Sequence, residues 1–192
     1  SPQKPPVPTR LTDSLLSPDG PAYDGKGMVF VANRDADYVT RVDVGGNRTQ
    51  QFRRDETKFT FERTAGQTYF EDSSLFVCDP VRNAIVRIYL DQRQELYADK
   101  AGDTGFAGPR DLAFDPAGSL YVTDRSGGVF RIAAGNRRVT RVADGLADPA
   151  GIAFSADART LFVAEAATGT LWGYAVATDG TAFGGERVMA AM

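Results

Sequence analysis

A sequence repeat restricts the folds open to this chain more than any other feature. Aromatic residues that end a short apolar run recur at intervals of 46, 45 and 40 residues; they are Tyr23, Tyr69, Phe114 and Phe154. A valine in a second apolar run follows each of them eight or nine positions later: Val31, Val77, Val122 and Val163. A fixed period of this length is typical of proteins that repeat one small unit along the chain.

The third copy shows the strand pattern of the unit most clearly. Its apolar runs Leu112–Phe114 and Leu120–Val122 flank a turn in which Pro116 and Gly118 take the second and fourth positions. Proline presets φ there and glycine accepts an unusual backbone, so the pair of runs is predicted to be a hairpin. After each valine come a polar residue, a loop and an alternating third strand. A fourth strand is predicted at Thr49–Phe52, Gln94–Ala98, Arg138–Val142 and Glu186–Met189.

Four strands per unit and this period predict an all-β fold, a β-propeller of four-stranded antiparallel blades. No unit contains a ten-residue stretch of helical periodicity, which argues against an αβ solenoid, and a β-sandwich would not repeat its turn chemistry at regular offsets. We expect a Pro-rich N-terminal arm over residues 1–18. The blades are expected over about 19–64, 65–108, 109–148 and 149–192.

The four copies form either a compact four-bladed ring or part of a larger ring. In the second case the edges of the first and last blades are open and favour self-association. Residues 9–16 can lie against the last blade as its outer strand and cover part of that edge.

The chain contains no histidine, which excludes several classes of chemistry at once. Ser-His-Asp and Cys-His catalysis and histidine-ligated zinc all require that side chain. The single cysteine, Cys78, lies in an apolar run and is expected to be a buried, inert thiol. Any reaction would therefore depend on carboxylates, amides, Lys, Arg, Tyr or a metal held by oxygen ligands.

The charge pattern argues against nucleic acid as a partner. Lys and Arg number 22 against 25 Asp and Glu, giving a net charge of −3 with no large block of either sign, whereas nucleic-acid binders show a basic face or stripe. No apolar run approaches the roughly 20 residues of a membrane span. The start at Ser1 is consistent with cleavage of an exported precursor, which would place the chain outside the cytoplasm, and equally with an artificial boundary.

In a propeller the innermost strand of every blade begins near the central axis, so equivalent positions converge there. Four residues before each anchor aromatic stand Asp19, Ala65, Arg110 and Ala150, and three before it stand Gly20, Gly66, Asp111 and Gly151. The polar members of these two sets, Asp19, Arg110 and Asp111, are the predicted ligand-binding residues. Asp111 is the candidate for a catalytic role.

Copies three and four and the start of copy one resemble the SMP-30/gluconolactonase family of six-bladed propellers. The residues that carry the resemblance are Gly108–Asp124 (GPRDLAFDPAGSLYVTD), Pro149–Ala164 (PAGIAFSADARTLFVA) and Asp19–Asp24 (DGPAYD), which is similar to a Glu-Gly-Pro stretch at the start of the family. The resemblance covers about residues 19 to 192 and corresponds to the family's first four blades. The same turns are also similar to those of NHL-repeat proteins.

The resemblance implies a lactone (ester) hydrolase. Enzymes of the family hold one divalent cation (Ca²⁺, Zn²⁺ or Mn²⁺) on the axis through Glu, Asn and Asp, and the ion polarises the lactone carbonyl. Here Asp19 stands in the place of the Glu and is the candidate metal ligand. Arg110 replaces the Asn of a Pro-Asn-Asp motif, Ala150 replaces the Asn of Pro-Asn-Gly, and the blade with the catalytic Asp would follow Met192. The implied metal site is therefore degenerate.

Arg110 leaves three interpretations open. It can form an ion pair with Asp19 that plugs the axis, bind a carboxylate or phosphate ligand through its two N–H groups, or lie beside a metal held by Asp19 and Asp111. The alternative to a hydrolase is a non-catalytic propeller that binds a small anion or a protein partner on its axial face, using Arg110 and Arg125.

One further polar set is predicted to be structural. Asn33, Asp79, Asp124 and Glu165 all stand two residues after the repeated valine. A polar residue at the same offset in every copy indicates a turn role, in which the side chain accepts hydrogen bonds from nearby backbone N–H groups. Trp172 lies in an alternating strand and is expected to pack between blades rather than to bind a ligand.

Overall fold

Each sequence repeat forms one four-stranded antiparallel sheet. The computed structural model describes residues 10–13, 15–45, 49–53 and 61–179, and the backbone of the last strand. The strands of blade 1 are β1 (Pro18–Tyr23), β2 (Met28–Asn33), β3 (Tyr38–Asp43) and β4 (Thr49–Arg53), and those of blade 2 are β5 (Gln67–Phe70), β6 (Ser74–Asp79), β7 (Ala84–Tyr89) and β8 (Gln94–Ala98). A small hairpin, β9 (Lys100–Ala101) and β10 (Thr104–Gly105), precedes blade 3, with β11 (Pro109–Phe114), β12 (Leu120–Asp124), β13 (Gly128–Ile132) and β14 (Val139–Ala143). Blade 4 contains β15 (Pro149–Phe154), β16 (Thr160–Glu165), β17 (Thr170–Val176) and β18 (Ala182–Met189).

Within each blade the strands are hydrogen-bonded in chain order. This topology confirms the predicted β-propeller of four-stranded antiparallel blades. The observed outer strand of blade 2 has the predicted bounds. The observed outer strand of blade 3 begins one residue later than predicted, and that of blade 4 begins four residues earlier. Within the part of the chain that the structure describes, no helix is long and apolar enough to cross a membrane.

The N-terminal predictions are tested only in part. Residues 1–9 and 14 lie outside the described residues, and β1 already begins at Pro18. The described residues of segment 9–16 form no strand and join no sheet, which differs from the predicted outer strand there.

Three apolar cores hold neighbouring blades together, because both faces of a central blade are apolar. Phe30 and Phe52 of blade 1 pack with Leu75 and Ile88 of blade 2. The opposite face of blade 2, with Phe76 and Cys78, packs against blade 3. Cys78 is fully buried as predicted, and burial raises the pKa of its thiol well above the usual value.

The third core joins blades 3 and 4. It contains Tyr121 and Val129 from blade 3 with Leu161 and Tyr174 from blade 4. Trp172 packs against this cluster, as expected of a residue between blades.

The polar residue that ends the second strand of each blade connects that blade to the segment that leads into it. We call Asn33, Asp79, Asp124 and Glu165 the loop-anchoring residues; all four are buried. Their side-chain oxygens accept hydrogen bonds from the backbone N–H of Leu16 (2.9 Å), Glu62 (2.6 Å), Ala107 (3.0 Å) and Ala147 (2.7 Å), respectively. Two of them also cap the following turn: Asp79 accepts from Val81 N–H at 3.0 Å, and Asp124 from Ser126 N–H at 2.8 Å. The predicted turn role is confirmed there, and the bond to the preceding segment extends it.

Blades 2 and 3 approach each other closely at Gly66. Its N–H donates to the carbonyl oxygen of Arg110 at 2.8 Å. A Cβ on residue 66 would overlap that oxygen and would lie 2.6 Å from Asp111 Oδ1 and 2.7 Å from Asp111 Cα. Position 66 therefore has no room for a side chain unless one of the two blades moves.

Gly66→Ala is expected to lower the free energy of unfolding by about 1–3 kcal/mol, the usual cost of extra atoms in a well-packed site. In a thermal melt this corresponds to a fall in Tm of several degrees. Gly135→Ala is the matched control, because a Cβ there meets no atom within 4 Å; its effect should stay within about 0.5 kcal/mol. Equal melting temperatures for the two variants would contradict the close approach.

Candidate functional site

The inner strands of blades 1, 3 and 4 begin with irregular pairing. In blade 3 Pro109 pairs with Asp124 and Asp111 with Thr123, so Arg110 is the extra residue of a β-bulge. Similar register shifts occur between Asp19 and Ala22 in blade 1, and at the start of β15 in blade 4. Arg110 and Asp111 line different cavities although they are neighbours in the chain, as expected of successive residues that point to opposite sides of a strand.

Arg110 lines a pocket of about 240 Å³ where the inner strands begin. We call it the arginine pocket. Its lining comes from blades 1, 2 and 3 and consists of Asp19, Arg34, Arg63, Ala65, Pro80, Val81, Pro109, Arg110 and Arg125. The structure thus brings together two of the predicted site residues, Asp19 and Arg110, and places Arg125 with them.

The predicted ion pair between Arg110 and Asp19 is wrong. Arg110 Nη1 instead donates to Asp148 Oδ1 at 2.7 Å, in the segment just before β15. Asp19 Oδ2 lies 4.0 Å from Arg34 Nη1. Arg110, the extra residue of a bulge, reaches the segment before the next blade, whereas Asp19 pairs in the sheet with Ala32, two residues before Arg34. The Arg110 and Asp148 side chains are 29% and 41% exposed, so solvent and solutes reach this pair.

Two arginines of the pocket have no carboxylate partner among the residues that the structure describes; they are Arg63 and Arg125. Arg125 packs against Gly108. The backbone N–H of Arg125 donates to Gly108 O at 3.1 Å, and a Cβ on Gly108 would lie 3.0 Å from Arg125 Cδ. Gly108 has φ +119°, a conformation that favours glycine. The aliphatic part of the Arg125 side chain therefore packs against the backbone of Gly108.

Sequence reasoning missed Arg34 and Arg63 as pocket residues. A usable signal existed for the first of these. Arg34, Pro80 and Arg125 each come directly after a loop-anchoring residue, and all three line the pocket. Arg63 follows no such offset, because it belongs to the segment between blades rather than to a strand.

Asp111 lies in a second cavity, an axial groove of about 440 Å³ lined mainly by the inner strands. Its lining residues are Gly20, Pro21, Ala22, Tyr23, Gln67, Thr68, Tyr69, Asp111, Leu112 and Ile152. Asp111 Oδ1 accepts from Leu112 N–H at 2.9 Å, and Oδ2 from Ile152 N–H at 3.1 Å. The carboxyl group therefore connects β11 to β15. Its catalytic role stays a prediction.

The pKa of Asp111 is raised, chiefly because burial disfavours the charged carboxylate. The two backbone N–H groups oppose this effect, and the negative charge of Asp19 adds to it. An acid with a raised pKa can exchange a proton near the axis, but both of its oxygens already serve the contact between blades 3 and 4.

The donor set does not fit the divalent cation that the resemblance implies. Hard cations such as Ca²⁺ need several oxygen ligands. Of the described residues that line the arginine pocket, Asp19 alone carries a carboxylate, and four carry a guanidinium group. Among the described residues, no group of three or more acidic, histidine or cysteine side chains could hold a metal ion.

Asp111→Asn tests the raised pKa through the pH dependence of stability. The native carboxyl group binds its proton more tightly than the unfolded chain does, so this group's stabilising effect is greatest below the reference pKa of 3.8 and decreases as pH rises through the native pKa. The stability of the wild type relative to Asp111→Asn should therefore fall as the pH rises from below 3.8 through the raised native pKa, measured by urea unfolding at each pH.

Asp157→Asn is the control of opposite sign. Hydrogen bonds, first from the Ser155 hydroxyl, lower the pKa of this exposed carboxyl group. The wild type should therefore gain stability over that variant as pH rises. A parallel gain over Asp111→Asn would contradict the effect of burial on Asp111.

Comparison with known proteins places the architecture within one family. The family model described as the SMP-30/Gluconolactonase/LRE-like region matches residues 47–192. A gluconolactonase from Xanthomonas campestris superposes with a TM-score of 0.81 at 20% identity, over 94% of this chain and 65% of that one. A second X-ray structure, of a protein provisionally described as a gluconolactonase, gives 0.77 at 17% identity, over 95% and 66% of the two chains.

A propeller in a nidogen/laminin complex is also similar, with a TM-score of 0.74 at 18% identity, over 93% of this chain and 67% of that one. None of the curated proteins matches the sequence. At these identities the solved structures show the fold alone, and the chain spans about 65% of the length of the gluconolactonase. The family match covers most of the sequence, so the chain belongs to the SMP-30/gluconolactonase/LRE-like family.

Proposed function

We propose that this chain binds a small anionic molecule in the arginine pocket. The observation that carries the proposal is the lining of that pocket, where the described residues that line a volume of about 240 Å³ include four arginines and one acidic residue, Asp19. A cavity lined by charges of one sign, with walls of low dielectric, concentrates ligands of the opposite charge. Guanidinium groups bind carboxylate and phosphate through paired N–H groups.

Two of the four arginines are also placed in a way that favours binding of a ligand. Arg125 is positioned by its contacts with Gly108, so less conformational freedom is lost when it meets a ligand. Arg110 is bound to Asp148 through Nη1 and is partly exposed. A ligand can share or replace that carboxylate, because the guanidinium has five N–H donors.

Lactone hydrolysis, which the family resemblance implies, stays a prediction for this chain. The family's metal ligands are replaced at Arg110 and Ala150, and Asp19 lies beside Arg34. A guanidinium group repels a cation over these distances. The observations on the pocket therefore favour an anion over a divalent metal.

A protein partner and self-association through blade edges also stay predictions. A similar propeller occurs in a complex between nidogen and laminin, but that likeness extends to the fold only. A carboxylate side chain of a partner could use the same arginines. Small anions therefore test the arginines without a partner protein.

We expect citrate or inorganic phosphate to raise the Tm of the wild-type chain and to raise that of Arg110→Ala much less. At ten times its Kd a ligand stabilises a protein by about 1.4 kcal/mol, which is roughly 3–6 °C for a chain of this size. Loss of a charged hydrogen-bond donor should weaken binding about tenfold or more. The measurement is a thermal melt against anion concentration at constant ionic strength.

Arg159→Ala is the matched control, since it removes the same charge from an exposed turn between β15 and β16 outside the pocket. It should respond to the anions like the wild type. Equal stabilisation of all three proteins would refute the proposal. Stabilisation by Ca²⁺, Mn²⁺ or Zn²⁺ that disappears in Asp19→Ala, together with hydrolysis of a lactone, would establish the hydrolase instead.

A further inference from the structure

The arginine pocket has an apolar wall as well as a charged one. Four of its nine lining residues carry no charge or polar side-chain group: Ala65, Pro80, Val81 and Pro109. Val81 is the notable one, because its side chain is 52% exposed. Of the described large apolar residues with high exposure, which are Leu11, Leu16, Tyr23, Val44, Val81, Leu90 and Leu96, Val81 alone lines this pocket.

The exposed valine is held in place rather than left on a loose loop. Val81 N–H donates to Asp79 Oδ1 at 3.0 Å, and the next residue, Arg82, donates its N–H to the same oxygen at 3.0 Å. Asp79 is fully buried and also binds Glu62 N–H at 2.6 Å. The turn that presents Val81 is thus fixed by a buried carboxyl group, and the pocket exists with this apolar surface open to solvent.

The size of the pocket exceeds what an inorganic anion would fill. At about 30 Å³ per water molecule, 240 Å³ corresponds to roughly eight waters. A lone carboxylate or phosphate held by the arginines would leave Val81 and Pro80 in contact with water. Covering those side chains requires a ligand that continues from its charged group into an apolar part.

We infer that the preferred ligand is an organic carboxylate with a short aliphatic or aromatic body. The inference rests on the proposed anion binding. The carboxylate would lie against Arg110 and Arg125, and the apolar body would lie against Pro80 and Val81. Small-molecule sites commonly combine an apolar surface with a few placed polar groups in this way.

A series of carboxylates of increasing chain length tests the inference. Acetate, butanoate, hexanoate and benzoate are titrated into the wild-type chain by calorimetry, with inorganic phosphate as the purely polar probe. Each methylene that is covered by the pocket should tighten binding by up to about fourfold. Hexanoate and benzoate should then bind at least tenfold more tightly than acetate.

Val81→Ser identifies the surface responsible. This change should weaken hexanoate binding several-fold and leave acetate and phosphate binding unchanged. Leu90→Ser is the matched control: it removes another exposed apolar side chain, in the turn between β7 and β8 and outside the pocket lining. It should leave every affinity at the wild-type value.

The outcomes separate the two proposals. If acetate, hexanoate and phosphate bind equally, or if Val81→Ser weakens all of them alike, the apolar part of the inference is wrong while anion binding stands. If Arg110→Ala retains full affinity for every probe, or if no probe binds the wild type, the proposed function itself fails. Tight hexanoate binding that persists in Val81→Ser would also overturn the inference, because the apolar contact would then lie elsewhere.

Discussion

The blades depend on one repeated interaction, a buried side-chain oxygen that accepts a backbone N–H from a segment 17 or 18 residues earlier. Apolar packing between blades is strong but has no direction, and it would permit the inner strands to slide along the axis. The loop-anchoring residues remove that freedom, because a buried N–H without its acceptor costs free energy comparable to the loss of a whole hydrogen bond. They fix where each inner strand begins and therefore where its axial residues lie.

The same interaction explains why the pocket has its particular lining. The residue directly after a loop-anchoring residue is brought to the end of the blade where the inner strands begin. In blades 1, 2 and 3 these residues are Arg34, Pro80 and Arg125, and each lines the pocket. The anchoring residue and a residue that lines the pocket are thus adjacent in sequence. Substitution of Arg34, Pro80 or Arg125 changes the chemistry of the pocket, while the loop-anchoring residue before each of them keeps the backbone in place.

Most of the fold could be predicted from sequence because its determinants are periodic. The anchor aromatic, the hairpin turn and the buried acceptor recur at nearly fixed offsets, so each copy supports the interpretation of the others. The site could be predicted only in part. Arg110 is the extra residue of a bulge, and its partner Asp148 is 38 residues away, directly before the first strand of the next blade. Arg34 stands at a repeated offset, directly after a loop-anchoring residue, whereas Arg63 lies in the segment between blades 1 and 2 and comes near the other arginines only when the blades assemble.

The contact between Gly66 and Arg110 has a consequence for how such a site can change over time. The carbonyl group of residue 110 is held by the N–H of Gly66, in a gap that accepts no side chain at position 66. The main chain at position 110 is therefore fixed by its neighbour, whichever side chain it carries. A mutation there can exchange one pocket-lining side chain for another while the strand keeps its position. The chemistry of the pocket wall can thus change through a single substitution, with little structural rearrangement.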